Sequence, residues 1–152
     1  DCVPTARGGR KATPLAAAGW GVLVGVTGLL AHEGAHLWLA RRLGGPDAAR
    51  LRTSWRGLSV DAPGLHPQHS AAVALVGPLA GAAVSVGIAA LTPAPVWIAT
   101  AFAGVHLLNL VPVRRTDGAV ALHAGCAGLV RRWDLERAQL ETAQKEGATG
   151  GQ

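Results

Sequence analysis

Two histidines and a glutamate in the segment His32-Glu33-Gly34-Ala35-His36 could bind and use a metal ion. On a helix, His32 and His36 lie one turn apart on the same face, which suits two imidazole ligands of a single Zn²⁺. Glu33 stands beside them, where its carboxylate could take a proton from a zinc-activated water molecule. This H-E-x-x-H pattern therefore predicts a metal-dependent hydrolytic centre.

The segment that carries this motif is apolar. No charged residue occurs over 15–31, and apolar residues resume at Leu37 before a pair of arginines. The stretch 15–40 covers about 39 Å at 1.5 Å per helical residue, enough to cross a bilayer core of about 30 Å. Polar side chains inside such a span are costly, so the motif indicates a functional site more strongly here than in a soluble helix.

Further apolar segments follow this first span. Residues 70–91 carry no charge and predict a second span, and the short turn at 92–95 leads into a third span expected over 96–111. Residues 117–130 form a shorter apolar stretch, typical of a re-entrant or interfacial helix. The expected fold is an all-α polytopic membrane protein with three transmembrane helices and one short membrane-embedded or interfacial helix.

The polar segments divide the chain further. Residues 45–69 alternate polar and apolar side chains in places, which predicts a small surface hairpin. We expect residues 1–13 to form a flexible N-terminal lead and residues 14–132 to form the membrane-embedded core. Residues 133–152 are expected to form a charged, exposed helix that ends in a disordered tail.

Composition and charge exclude some classes of protein. The 152 residues are 49% hydrophobic and 15% charged, too apolar for an ordinary soluble domain. The net charge of +5 comes from basic residues at segment ends, with no interleaved aromatic side chains, so no nucleic-acid partner is expected. The cysteines, Cys2 and Cys126, form neither a disulfide framework nor a C-x-x-C zinc pattern.

The basic residues also predict an orientation in the cell membrane. With three spans, seven arginines fall on one side and three basic residues on the other. Because cytoplasmic loops carry the excess of positive charge, the N-terminus is expected outside and the H-E-x-x-H motif near the cytoplasmic face. The seven arginines are Arg41, Arg42, Arg50, Arg52, Arg56, Arg114 and Arg115.

A catalytic zinc ion needs a third protein ligand. The segment from Asn109 to Gly118 reads N-x-x-P-x-x-x-x-D-G, and a G-P pair occurs at Gly77-Pro78. With these three motifs in order, the chain resembles the site-2 protease family of intramembrane zinc metalloproteases. The resemblance covers about 15–132 and implies a minimal core member without appended domains.

The resemblance implies specific roles. Asp117 would be the third ligand of one Zn²⁺ per chain, Glu33 the catalytic base, and Asn109 the residue that holds the substrate backbone. Substrates would be single-pass membrane proteins, such as anti-sigma factors or signalling precursors, cleaved within the lipid bilayer. The family motif ends close to P-L-D-G-G, whereas Arg115 and Thr116 precede the aspartate here. No oligomeric state is predicted.

Structural explanations compete with these roles. Asp117 could cap the following helix, and Asn109 could simply end the preceding one. Gly77, Gly81 and Ser85 form a small-residue ridge that helix packing explains. His106 could line a path for water or make an interhelical hydrogen bond. Three other histidines receive no role: His66, His69 and His123.

Other functions also compete. A catalytically inactive homologue could serve as a membrane scaffold, and the altered residues before Asp117 keep this alternative open. A metal-handling or transport protein could use the same ligands, although transporters usually show paired repeats. A soluble zinc protease with an apolar core is disfavoured by the uncharged run at 70–91.

Overall fold

The computed structural model of the protein describes residues 13–54, 57–114 and 116–149. The lead predicted over 1–13 lies outside these residues except for Thr13. The described chain is mostly helical, as expected. Its elements are α1 (Pro14–Gly44), β1 (Arg50–Ser54), β2 (Gly57–Asp61), α2 (Pro67–Leu91), α3 (Val96–Leu108) and α4 (Asp117–Thr149).

Helix α1 carries the H-E-x-x-H motif and has clear signals at both ends. The Thr13 hydroxyl accepts a hydrogen bond from the Ala16 N–H at 3.3 Å, and Pro14 occupies the first turn. Gly45 ends the helix with a φ of 93°, and its N–H donates to the Arg41 carbonyl at 2.9 Å. The helix therefore continues four residues beyond the stretch 15–40 and ends at the Gly-Gly-Pro sequence 44–46.

One stripe of α1 is buried, and its members recur every fourth residue. This spacing keeps successive members next to one another on the helix surface, and the two motif histidines are flanked by the small residues Gly28 and Ala40. The stripe faces α2, and α1 also contacts α3. Its members are Val24, Gly28, His32, His36 and Ala40.

The hairpin predicted within 45–69 is present. Strands β1 and β2 pair antiparallel, with Arg50 opposite Asp61 and Ser54 opposite Gly57. Val60 of β2 packs against the small core cluster that joins the ends of α1 and α2, which includes Ala40 and Val73. The hairpin therefore lies at the end of α1 that is nearer to His36.

Two of the described helices, α1 and α2, are long and apolar enough to cross a membrane. Much of their apolar surface has no protein neighbour. On α1, Val22 is 68% exposed and Leu30 is 57% exposed, whereas the residues of the buried stripe are covered by other parts of the protein. These helices have the length and composition of two of the three predicted spans.

The third predicted span is not confirmed as a continuous helix. Helix α3 has 13 residues and ends at Leu108. It measures about 20 Å at 1.5 Å per residue, short of a bilayer core of about 30 Å. From Asn109 the chain leaves the helix in successive turns, in which the N–H groups of Leu110 and Val111 donate to carbonyls three residues earlier.

Helix α4 corrects another expectation. The sequence predicted a short apolar helix over 117–130 and a separate charged helix within 133–152 that ends in a disordered tail. The structure has one helix of 33 residues that runs through to Thr149. No glycine or proline interrupts 129–146, and Arg132 pairs with Glu136 one turn on at 2.9 Å.

Helices α3 and α4 pack one after the other along α2. His106 of α3 lies against Gly81, and Gly128 of α4 lies near the side chain of Gln68. Both helices therefore run antiparallel to α2, with α3 beside its C-terminal half and α4 beside its N-terminal half. The break between them falls beside the middle of α2, and this break brings Asp117 to the motif histidines.

Candidate metal centre

Asp117 lies between the two motif histidines. Its Oδ2 atom is 3.1 Å from His32 Nε2, and its Oδ1 atom is 3.5 Å from His36 Nε2. The candidate ligand atoms of these three residues all lie within 4.8 Å of one another. The two histidine–aspartate distances are close to the separation of about 3 Å expected between ligand atoms of one metal ion. The three residues could hold a metal ion.

Both histidines are fixed through the ring nitrogen that faces away from Asp117. His36 Nδ1 donates to the Val73 carbonyl at 2.6 Å, and His32 Nδ1 lies 3.1 Å from His106 Nδ1. Both Nε2 atoms are thereby left to face the carboxylate. Metal-binding histidines typically use one ring nitrogen as the ligand and anchor the other by a hydrogen bond. No sequence motif marks the Val73 carbonyl, so its role could not be predicted.

The site is enclosed by protein. His32 and His36 are 4% and 6% exposed, and the Asp117 side chain is 26% exposed. The Asp117 carboxyl group contacts both imidazole rings and is available to them as a shared ligand group.

Thr116, and not Asp117, is the N-cap residue of α4. The Thr116 hydroxyl accepts from the Ala119 N–H at 3.3 Å, which is the N-cap interaction of α4. Asp117 is the first residue of the helix proper, and its side chain turns to the histidines instead. Thr116 thus caps α4, while Arg115 lies outside the described residues.

Gly118 allows the turn that places Asp117. Its N–H donates to the Asn109 carbonyl at 2.8 Å. A Cβ atom at this position would collide with the backbone carbonyl of Leu110. The aspartate–glycine pair therefore combines a candidate ligand with a residue that lets the two ends of the connection approach closely.

All five predicted site residues line one cavity of about 360 Å³. Glu33 is half-buried in its wall, with the backbone of Val60 in β2 near its carboxyl group. Asn109 reaches the cavity from the end of α3, where its N–H donates to the His106 carbonyl at 3.1 Å. The five residues are His32, Glu33, His36, Asn109 and Asp117.

The small-residue ridge of α2 makes room for histidine rings. A Cβ atom at Gly77 would collide with the ring of His36, and one at Gly81 would come within 2.7 Å of the ring of His106. These glycines therefore serve packing, as the sequence suggested, but the space that they leave is filled by imidazole rings. His66 and His123 lie outside the site, where His66 caps α2 and His123 Nδ1 donates to the Ala119 carbonyl.

Comparison with known proteins adds no match. No protein-family profile, curated protein or solved structure matches the chain. The chemistry of the site must therefore be argued from its own residues.

Removal of a ligand should release the metal. We expect the purified protein to bind about one equivalent of a divalent metal ion, and His36→Ala or Asp117→Ala to lose most of it. His123→Ala, which removes a histidine outside the site, should retain the ion. Metal analysis after gel filtration measures this directly, and full retention in Asp117→Ala would exclude this residue as a ligand.

A methyl group added at Gly77 should displace His36 without removing any ligand. Gly77→Ala is expected to lower metal content at least as strongly as the loss of a ligand, because the new Cβ takes the place of the imidazole ring. Gly87→Ala is the matched control on the same helix, since a Cβ there meets no atom within 4 Å. Equal metal content in the two variants would contradict the observed fit of His36 against α2.

Proposed function

We propose that the protein is an intramembrane zinc metalloprotease that hydrolyses a peptide bond within or beside the transmembrane segment of a membrane protein. One observation carries the proposal. The candidate ligands His32, His36 and Asp117 converge in a cavity that also contains the Glu33 carboxylate, and that cavity lies between helices of apolar composition.

We assign zinc to this set of donors, because the H-E-x-x-H spacing is typical of zinc-dependent hydrolases. Two imidazole nitrogens and one carboxylate oxygen form a donor set typical of catalytic zinc sites, which keep another position open for the reacting groups. Calcium and magnesium prefer oxygen ligands alone. When bound, the ion would supply the Lewis acidity that activates a water molecule and polarises the scissile carbonyl group.

Glu33 carries the proton transfers in this proposal. It follows His32 directly on α1 and shares the cavity with the ligands, but it is not among the three clustered donor groups. Its carboxylate takes a proton from the attacking water and returns it to the leaving amine, which is the role of a general base and then a general acid. A residue with this role acts on the reacting atoms and does not hold the ion.

Asn109 would hold the substrate backbone. It stands at the end of α3 with its main chain bonded in both directions, to His106 and to Gly118. Its amide can donate to a peptide carbonyl and accept from a peptide N–H, so it suits an extended segment. A substrate helix must unwind locally before it is cut, because a helical peptide bond is shielded by its own hydrogen bonds.

Several features support a site within a bilayer. The apolar surfaces of α1 and α2 would face lipid, and α3 with the start of α4 would complete a third, broken crossing antiparallel to α2. His36 lies about 7.5 Å along α1 from Arg41, so the site would be near the face that carries the arginines. We assign that face to the cytoplasm of the cell, with the N-terminus outside.

Substitution of Glu33 separates catalysis from folding. Glu33→Gln keeps the shape of the side chain but cannot act as a base, so we expect cleavage of single-pass membrane substrates to fall by at least about 100-fold. Zinc content and thermal stability should stay close to those of the wild type. Glu136→Gln, on the exposed part of α4, is the control and should cleave normally.

Other outcomes of this experiment distinguish the rival functions. Wild-type cleavage by Glu33→Gln would refute the proposed mechanism, and loss of zinc would show that Glu33 is itself a ligand. Zinc binding without cleavage of any of a broad panel of substrates would favour the inactive scaffold. Asn109→Ala is expected to slow cleavage while leaving the metal in place.

Cysteine labelling tests the orientation. In a background without Cys2 and Cys126, we expect Arg50→Cys and Leu140→Cys to resist a membrane-impermeant thiol reagent in intact cells and to react after lysis. Pro93→Cys, in the turn between α2 and α3, should react in intact cells. Labelling of position 50 or 140 before lysis would reverse the assigned topology.

A further inference from the structure

His106 is a buried polar residue outside every motif of the sequence. It lies on α3, is 6% exposed, and packs its ring beside that of His32 with centroids 5.2 Å apart. The two Nδ1 atoms are 3.1 Å apart. His106 therefore contacts His32 from the side opposite Asp117, which faces His32 Nε2.

The direction of this hydrogen bond follows from the chemistry of imidazole. Two ring nitrogens can share a hydrogen bond only if one carries hydrogen and the other has a free lone pair. If His32 binds a metal ion through Nε2, its remaining proton must sit on Nδ1. His32 is then the donor, His106 Nδ1 is the acceptor, and the proton of neutral His106 sits on its own Nε2.

The ring of His106 is held in this position by close glycine contacts. A Cβ atom at Gly28 would be 2.8 Å from His106 Nε2 and 2.9 Å from Ser85 Oγ, and one at Gly81 would be 2.7 Å from the ring. Glycines on α1 and α2 thus leave a slot that the imidazole fills. A larger residue on either side would push the acceptor away from His32.

The opposite edge of the His106 ring, at Nε2, gives independent support for a role of Nδ1. His106 Nε2 is buried and has no hydrogen-bond partner among the described residues. Leaving a buried polar atom unsatisfied is costly, and an apolar residue of similar size would avoid that cost. The interaction made by the opposite edge, at Nδ1, is what distinguishes histidine from such a residue.

We propose that His106 is a positioning residue that accepts the His32 Nδ1 hydrogen and thereby fixes the tautomer and the ring plane of this ligand. Val73 does the same for His36 through its carbonyl group. A neutral imidazole orients His32 without adding a negative charge to a site that already contains Asp117. The inference rests on the metal binding in the proposed function, but not on proteolysis.

A pair of variants of equal shape tests the proposal. His106→Leu removes the acceptor. His106→Asn has a side chain of the same size as that of leucine, but it offers an amide oxygen near the position of Nδ1. Each full-length variant is purified in detergent and titrated with Co²⁺, followed by competition with Zn²⁺. We expect His106→Leu to bind both metals about 10–100-fold more weakly and to alter the visible absorption of bound Co²⁺. His106→Asn should restore most of the affinity and the wild-type spectrum.

The alternatives give different results. Wild-type affinity and spectrum in His106→Leu would overturn the positioning role while leaving the metal centre and the proposed protease intact. Equal loss in both variants, together with lower thermal stability of the metal-free protein, would show that His106 is a packing residue only. Metal binding that depends on His106 in a protein that cleaves no substrate would support the inference and refute the proposed protease.

Discussion

Two imidazole rings and a carboxylate lie between helices built mainly from alanine, glycine, valine and leucine. Each of their polar atoms needs a hydrogen-bond partner or a ligand there. Asp117 meets both Nε2 atoms, while Val73 and His106 meet the two Nδ1 atoms. Much of the remaining architecture follows from this requirement. Helix α3 must bring His106 to α1, and the chain must then break so that Asp117 can approach from α4.

Glycine makes this arrangement possible at three helix contacts. Gly28, Gly77 and Gly81 lie where any side chain would collide with a histidine ring or approach it within 3 Å. In a membrane, helices with such small-residue ridges usually use them to bring backbones together. Here the space admits side chains that could bind a metal, so tight packing and the candidate chemistry depend on the same residues.

The sequence predicted the parts of the fold that local signals specify. The hairpin follows from alternation, and α1 and α2 follow from uncharged runs. The ordered motifs identified His32, His36 and Asp117, which the structure brings together. The short α3 and the continuous α4 were not predicted, because apolar composition does not show where tertiary contacts end a helix or where a helix continues. The hydrogen bonds of His106 and Val73 join distant segments, so no local pattern could have revealed them.

The interruption between α3 and α4 has a consequence for the supply of water. From Asn109 to Arg114, and again at Thr116, the backbone is not helical, although these residues lie beside the middle of α2. A bilayer tolerates irregular backbone at such depth only where it is covered by protein or lines a hydrated cavity. Hydrolysis consumes one water molecule for each bond that is cut. In the proposed protease, the same break that turns Asp117 toward the histidines would therefore let this water reach a region that lipid would otherwise keep dry.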